Sequence, residues 1–568
     1  MVGEQSPSKI SSKWPGWNLV IGIEVHAQLK TRQKLFSNSL ATEDNFVPTN
    51  ERVSLFDAAF PGTLPIINPT CVSLAARTAL ALRADIQSRS SFDRKHYFYG
   101  DLPVGYQITQ NYAPFAKDGY LELVKSQKRI RIKQIQLEQD TAKSLHVGDK
   151  IQHDLNRVGM PLLEIVSHPD LSSPEEAGEY VRTLQAVLRS VAASDGMMEA
   201  GSFRCDVNVS IHRNGEPLGT RTELKNLNSV KAVVLAIDAE ARRQLEILTS
   251  TELSGEERKI QQQTLTFDES TLQTRPLRTK EGVDDYRYMP DPNLLLLVVE
   301  QDTLNKLKED MTSQGMAGPE TATGEIYFGW DGIRHRLKHI LGLPIAGRSE
   351  EKKHSDIERG IEVLMTVDAG RTVGWDGDTE PGAVSFFEQT VKHQSPPEPS
   401  GDLTKPRDPR IVLNWIIHDL LGQLTKRDET FAQNPISPEQ LAEIIDAVEA
   451  KRITVTAGKT LIRHLLDTSR KSSAPLDPHI ESSKFPLSIP QLIDTLGLAK
   501  SSSKADLDQW CQQVIDQNPE LVDKVKIGKT NTIMALVGNV MKLSKGSADA
   551  VQAKALLERK ILDDILDK

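Results

Sequence analysis

Cysteine is scarce here: Cys71, Cys205 and Cys511 are the only thiols in 568 residues, far apart and without a CxxC spacing. That excludes a disulfide framework or a cysteine zinc site and points to a reducing compartment. Long apolar runs are missing too. No stretch approaches the roughly 18 to 20 residues that span a bilayer, so no membrane insertion is expected, and 38% hydrophobic with 26% charged residues suits a globular protein. Positive charge is not in excess. With a formal net charge of -9 there is no global basic field to attract nucleic acid, and any such binding must rest on a local patch. Reaction motifs are likewise absent: no GxSxG elbow and no HExxH helix occurs. Gly458-Lys459-Thr460 and Gly528-Lys529-Thr530 imitate the end of a phosphate-binding loop, but Ile453 and Asp523 stand where its first glycine belongs. The opening MVGEQSPSKISSKWPG has neither the apolar core of a secretory signal nor an Arg-rich amphipathic pattern. Residues 1–17 read as a flexible segment, at most the remnant of a transit peptide.

What is present is a set of polar-faced strands. In Leu19 to His26, the period-two geometry of a strand sends Leu19, Ile21, Ile23 and Val25 to one side and Gly22, Glu24 and His26 to the other. Phe203 to Ile211 repeats the device, with Phe203, Cys205, Val207, Val209 and Ile211 against Arg204, Asp206, Asn208 and Ser210. A third run, RIRIKQIQLEQD, ends in Glu138, Gln139 and Asp140. Its apolar residues change phase between Ile132 and Ile135, which predicts a β-bulge. Glu164 interrupts the apolar run Leu162, Leu163, Ile165, Val166, so it must be paired, metal-bound or outward-facing.

A length of 568 residues exceeds one hydrophobic core, so several domains are expected. Residues 18–300 read as α+β with a mixed or antiparallel sheet. Ser173-Pro174-Glu175-Glu176 starts a helix carrying Tyr180, Val181, Leu184, Val187, Leu188 and Val191, and a second begins near Asn228-Ser229. No βαβ unit with a glycine phosphate loop is visible. Residues 301–405 form a looser, partly helical connector in which Gly329-Trp330-Asp331-Gly332 is echoed by Gly374-Trp375-Asp376-Gly377. Residues 406–568 read as all-helical, with Ser437 capping one helix.

Glu24 and His26 lie within metal-ligand or acid–base reach of a common point, although a solvated strand edge has the same pattern. Oxygen ligands of this kind suit Mg²⁺; a histidine equally fits manganese or zinc. Arg204, Arg221, Lys225 and Arg287 could hold phosphates or serve as structural ion pairs. In the tail, Lys524, Lys526, Lys529, Lys542 and Lys545 cluster in an otherwise acidic chain.

The segments IGIEVHAQL (21–29), FPGTLPIIN (60–68), DRKHYFYGDLPVGYQITQ (93–110), DLNRVGMPLLEIVSHPD (154–170), GSFRCDVNVS (201–210), TELKNLNS (222–229) and DDYRYMPDP (284–292) closely resemble the B subunits of glutamyl-tRNA(Gln) and aspartyl-tRNA(Asn) amidotransferases, the GatB/GatE family. The likeness is dense over 18–300 and returns at GKTNTIMALVGNVMKLSKGSAD (528–549), which is similar to the family's YqeY-like tail. It implies a cradle domain that binds misacylated Glu-tRNA(Gln) and phosphorylates its carboxylate with ATP and Mg²⁺. The ammonia would come from an amidase, the A subunit, with a small C subunit to brace the pair. The resemblance also implies a metal set of Glu24, His26, Glu138 and Glu164, and a catalytic surface of Glu24, Glu138, Asp206 and Asn208. The tail lysines Lys529, Lys542 and Lys545 become candidate tRNA contacts. Many members carry an acid where this chain has Gln139, and residues 315–360 depart from the family's usual connector. The family occurs in bacteria and organelles. The irregular insertion leans toward the mitochondrial matrix, with the bacterial cytoplasm as the alternative. Two other readings remain: a non-catalytic tRNA-binding subunit lining an ammonia tunnel, and a stand-alone metal hydrolase, which the missing water-activating triad disfavours.

Overall fold

The computed structural model describes residues 13–41, 47–277, 286–344, 352–369, 376, 382–393, 407–472, 488–499, 504–527, 532–544 and 547–566. The chain divides into two compact units, Met1–Gly347 with Ala369–Glu380, and Arg348–Asp368 with Pro381–Lys568.

The first unit is built on strands β1 (Trp17–Gln28), β2 (Asp85–Ile86), β3 (Arg89–Ser90), β4 (Asp93–His96), β5 (Tyr106–Thr109) and β6 (Ala116–Leu123). They are followed by β7 (Lys128–Gln139), β8 (Lys143–Val147), β9 (Lys150–Asp154), β10 (Pro161–Ser167), β11 (Phe203–Arg213) and β12 (Thr222–Leu227). β13 (Thr264–Asp268), β14 (Gln273–Pro276), β15 (Met289–Pro290) and β16 (Leu297–Val298) complete the set. Nine of them form one sheet in the order β14-β13-β12-β11-β1-β10-β7-β6-β2, and β15-β4-β5 form a small second sheet. Every pair in the large sheet is antiparallel except β12–β13, which is parallel. The parallel pair needs a crossover, and α3 (Val230–Thr249) supplies it. One βαβ connection therefore exists, without a glycine phosphate loop.

The expected alternation is present along β1 and β11, whose odd-numbered residues from Leu19 to Val25 and from Phe203 to Ile211 are buried. Helices α2 (Pro174–Ser190) and α3 cover the apolar side. Ser173 Oγ accepts from the Glu176 amide and Ser229 Oγ from the Ala232 amide, so both helices start where capping chemistry places them. They approach closely at Gly178, where an added Cβ would come within 2.7 Å of Val234 Cγ2. On α3 the fully buried Glu240 is satisfied by Thr222, Arg243, Gln244 and Thr274, which ties the helix to β12 and β14. The bulge lies where the phase change puts it. Val166 pairs with Gln134 but Ser167 with Ile132, which leaves Lys133 as the extra residue. Ser167 Oγ then accepts from the Ile23 amide at 2.9 Å.

Two boundaries differ from the sequence reading. Residues 1–12 lie outside the described residues, but Trp14 is buried, Lys13 pairs with Asp238 and β1 begins at Trp17, so the end of the segment expected to be flexible is docked. Of the expected connector, α4 (Gln301–Ser313) and α5 (Gly329–Ile340) belong to the first unit: α5 packs on α1 (Pro69–Ala81) and α2, and Asp331 accepts from Arg83 at 2.8 Å. The first GWDG therefore opens a helix. Of the second, only Asp376 is described, and it accepts from the Arg32 side chain and amide.

Among the described residues the second unit is helical: α6 (Lys352–Ala369), α7 (Ala383–Lys392), α8 (Pro409–Asn414), α9 (Leu421–Lys426), α10 (Pro438–Glu449), α11 (Val455–Ser472) and α12 (Ile489–Leu496). After Pro409 the residues Val412, Trp415, Ile416, Leu420 and Leu424 are buried, and a π-helical turn at Trp415–Leu420 joins α8 to α9. Helices α13 (Lys504–Gln517), α14 (Pro519–Lys526), α15 (Ile533–Leu543) and α16 (Ala550–Leu566) share an apolar core that includes Cys511, Val514, Leu536, Val540 and Leu557. No described helix is long and apolar enough to cross a membrane.

Candidate metal centre

Antiparallel register puts directly opposed side chains on one face of a sheet. Here it lays out Arg204, His26, Glu164 and Gln136 as one row across β11, β1, β10 and β7. The neighbouring row is Asp206, Glu24, Val166 and Gln134, and Asn208 follows opposite Gly22. The ligand atoms of Glu24, His26 and Glu164 all lie within 4.8 Å of one another. Glu138 joins them, its Oε1 3.9 Å from His26 Nε2. Three of the expected four thus converge, with Glu138 beside His26, and Glu164, buried inside an apolar run, turns its carboxyl into the polar face.

The small sheet stands against β7 and supplies groups that the sequence reading did not single out. Gln107 Nε2 donates to Glu138 Oε1 at 2.8 Å and to the Gln139 carbonyl at 2.7 Å. Gln136 Nε2 donates to Glu164 Oε2 and, at 3.1 Å, to Thr109 Oγ1. Lys95 faces the acids and lies 4.8 Å from the centroid of Tyr286. Burial works against its charge, but Glu138, Tyr288 and Glu164 outweigh burial and hold the ammonium above the ordinary lysine range. Burial, helped by Glu138 and Glu164 against Lys95, pushes the Tyr288 hydroxyl up to about 12.

The carboxylates themselves are pushed apart. Burial, the charge of Glu138 and the hydrogen bond to Glu24 raise Glu164 well above the usual range. Burial opposes ionisation of Glu24 as well, but the hydrogen bond with Glu164 and the charges of His26, Lys225 and Lys95 bring it below. Without a cation, these surroundings favour a proton on Glu164, hydrogen-bonded to Glu24. A divalent cation fits such a set better than a proton does: carboxylate oxygens and one imidazole nitrogen converge on a buried point, a donor set compatible with Mg²⁺ or Mn²⁺.

The expected phosphate cations fare differently. Arg204 Nη2 is 2.8 Å from Asp140, and Lys225 Nζ is 2.6 Å from Asp206 and 3.2 Å from Glu223. Each is already neutralised by its own acid, because the register that brings them to this face brings the acids too. Arg204 Nε nevertheless stays buried with no acceptor, one N–H still available to an anion. Arg221 and Arg287 are exposed. Asp206 is spent on Lys225, while Asn208 sits on the same face one step beyond the cluster. Gln139 is buried on the opposite side from Glu138, so its side chain does not replace an acid in this cluster. Lys542 is exposed at the end of α15; Lys529 and Lys545 lie outside the described residues, as does Gly528-Lys529-Thr530.

Comparison with known proteins bears on the same residues. The model of the GatB/GatE catalytic domain matches residues 19–305, and that of a GatB domain matches 402–561. The chain belongs to the GatB/GatE family. It is 46% identical over 561 residues to the B subunit of the mitochondrial glutamyl-tRNA(Gln) amidotransferase of Laccaria bicolor, covering 98% of this chain and 94% of that one. The mitochondrial protein of the same name from Cryptococcus neoformans var. neoformans is 40% identical over 95% of this chain and 93% of its own. The B subunit of the aspartyl/glutamyl-tRNA(Asn/Gln) amidotransferase of Rickettsia bellii is 35% identical over 97% and 99%. Glu24, His26, Glu138 and Glu164 all fall within the matched GatB/GatE catalytic domain.

Proposed function

We propose that this chain is the B subunit of a heteromeric, ATP-dependent glutamyl-tRNA(Gln) amidotransferase: it binds Glu-tRNA(Gln), phosphorylates the glutamate side-chain carboxylate and converts it to the amide with ammonia made by a partner amidase. The observation that carries this reading is the meeting of Glu24, His26 and Glu164 on one sheet face of a GatB/GatE domain, with Glu138 beside His26 and Lys95 of the small sheet facing them. A carboxylate is a poor electrophile, and phosphorylation gives it a leaving group that ammonia displaces. Magnesium bound by the three acids and His26 would supply charge neutralisation for phosphoryl transfer.

The chain's own groups do the rest. Lys95 keeps a permanent positive charge beside the acids, and Arg204 Nε offers an unused donor on the row of His26. Gln107 and Gln136 fix the carboxylates of Glu138 and Glu164. The apolar strands and the small sheet keep the face partly dry, which strengthens every charge interaction there. A glutaminase in the role of the A subunit, a small C subunit, tRNA contacts at Lys529, Lys542 and Lys545, and a mitochondrial matrix location complete the reading; the mitochondrial names of the fungal relatives support the last. The test uses the assembled complex with Glu-tRNA, ATP and excess ammonium, so that ammonia supply is bypassed. Divalent-metal-dependent ADP and Gln-tRNA should form, and Glu138→Gln should abolish both. Wild-type rates in that variant would leave a tRNA-binding or tunnel role instead.

A further inference from the structure

Six of the nine tyrosines gather around the small sheet. Five form a row of ring contacts from Tyr99 through Tyr97, Tyr286 and Tyr288 to Tyr112, with centroid steps of 5.6, 6.0, 6.1 and 6.3 Å. Every step is tilted or edge-on, 60° to 71° between planes. The middle of the row is tied to the carboxylate cluster. Tyr97 donates to Gln107, the residue that holds Glu138, and Lys95 lies against Tyr286. Its ends are open: Tyr99 is 46% exposed, Tyr112 61%, and the adjoining Phe98 87%.

The row is also held rigidly. The His96 amide donates to the Tyr286 carbonyl at 2.8 Å, His96 Nδ1 meets the Arg287 carbonyl at 3.0 Å, and Tyr112 Oη donates to the Tyr288 carbonyl at 3.3 Å. Two separate segments, Arg94-Lys95-His96-Tyr97-Phe98-Tyr99 and Tyr286-Arg287-Tyr288, interleave cations with aromatic rings in the same place. A core would not leave such rings half in solvent, and a protein interface is better matched by the exposed aliphatic side chains of Leu295, Leu296 and Val298.

We infer that this tyrosine row is the platform on which the single-stranded 3′ end of the aminoacylated tRNA stacks as its ester-linked carboxylate enters the cluster. The inference rests on the proposed function for the nature of the substrate. The carboxylate to be activated hangs from the last nucleotide, so the terminal bases must lie beside Glu138 and Glu164, against the middle of the row, and extend from there toward its open ends. Five rings in line exceed one nucleobase, which favours an oligonucleotide end over the adenine of ATP. Tyrosine suits the task, since a ring with few rotamers loses little entropy on stacking and tolerates any base.

Binding of tRNA to the assembled complex by Tyr99→Ala and Tyr112→Ala tests this, with Tyr99→Phe and Tyr112→Phe as variants that keep the ring. Each alanine variant should weaken intact Glu-tRNA about 5- to 100-fold, as expected for loss of a stacked base. Each phenylalanine variant keeps the ring and should lose clearly less affinity than its alanine counterpart, the loss of the hydrogen bond from Tyr112 Oη to the Tyr288 carbonyl being the smaller effect. A tRNA trimmed of its single-stranded 3′ end should bind wild type and alanine variants alike, and the KM for ATP should not move. Equal weakening of intact and trimmed tRNA, unchanged binding of both, a shift confined to ATP, or loss of a partner chain from the complex would each overturn the inference. The binding measurement needs neither ATP nor metal, so it stays readable if phosphorylation at the cluster proves wrong.

Discussion

Glu164→Gln should stabilise the metal-free protein and weaken its response to metal. Glu164 is 6% exposed and keeps its proton because burial and the charges of Glu138 and Glu24 oppose ionisation. Glutamine imitates the protonated acid: its amide can donate to Glu24 as the acid does, and its carbonyl can still accept from Gln136. A carboxyl whose native pKa is raised gives its full stability below the unfolded pKa of about 4.3 and loses it as pH rises toward the native value. Above about pH 4.3 the advantage of the glutamine variant should therefore grow by about 1.4 kcal/mol per pH unit, then level off once Glu164 ionises in the native state. With two compact units a single melting temperature is ambiguous, so the readout is hydrogen exchange of the β1 and β10 amides in EDTA across pH. Adding Mn²⁺ at a hundredfold over its Kd should protect wild type by about 2.7 kcal/mol. The variant should gain less, so the gap narrows or reverses. A pH-independent difference, or destabilisation by glutamine at every pH, would show that Glu164 is ionised in the native state and would refute the proton assigned to it.

Three more outcomes follow from the structure. Lys34 and Asp57 form a fully buried pair at 3.2 Å, with Lys34 Nζ also donating to the Arg52 carbonyl at 2.7 Å. Lys34→Met leaves that acid without its cation and should cost about 3 to 5 kcal/mol in hydrogen-exchange protection around Asp57, whereas a loss below 1 kcal/mol would mean that water reaches the pair. Burial pushes Cys71 and Cys205 up to about 12 and Cys511 up to about 11, so native protein at pH 8 should resist iodoacetamide until urea is added; the same raised values mean that any stability they carry is lost only above about pH 9, and rapid native alkylation would contradict their burial. Neutralising Lys529, Lys542 and Lys545 together should weaken tRNA binding and flatten its dependence on log salt, and an unchanged slope would remove the tail from the contact.

The strands that carry the acids were legible because their two faces differ in kind. Leu19 to His26 and Phe203 to Ile211 alternate so regularly that burial follows residue by residue, and the phase change between Ile132 and Ile135 located a bulge at Lys133. Glu164 was legible as a misfit in an apolar run. Lys95, Gln107 and Gln136 were not, although the first two lie within the segment that carried the resemblance. Their place depends on β4 and β5 stacking against a strand about thirty residues on, and no periodicity records that docking. The pairing of Arg204 with Asp140 and of Lys225 with Asp206 was hidden for the same reason, since only strand order reveals cross-strand neighbours. The connector was misdivided because α5 looks like any short amphipathic helix until Asp331 meets Arg83.

A cluster of this kind works against folding, and that cost bears on its purpose. Three acids on adjacent strands repel one another when ionised, and burial of Glu138 and Glu164 deepens the penalty. A purely structural face would shed it with a glutamine or a leucine. Here two buried glutamines and a lysine are instead spent on aiming and partly neutralising the acids, and burial beside Glu138 and Glu24 biases Glu164 toward its protonated form. Side chains held by sheet register and by supporting amides lose little freedom when a cation arrives, so what the fold gives up in stability returns as a prepared site. Strands suit this better than loops do, because their spacing is fixed by the ladder before any ligand binds.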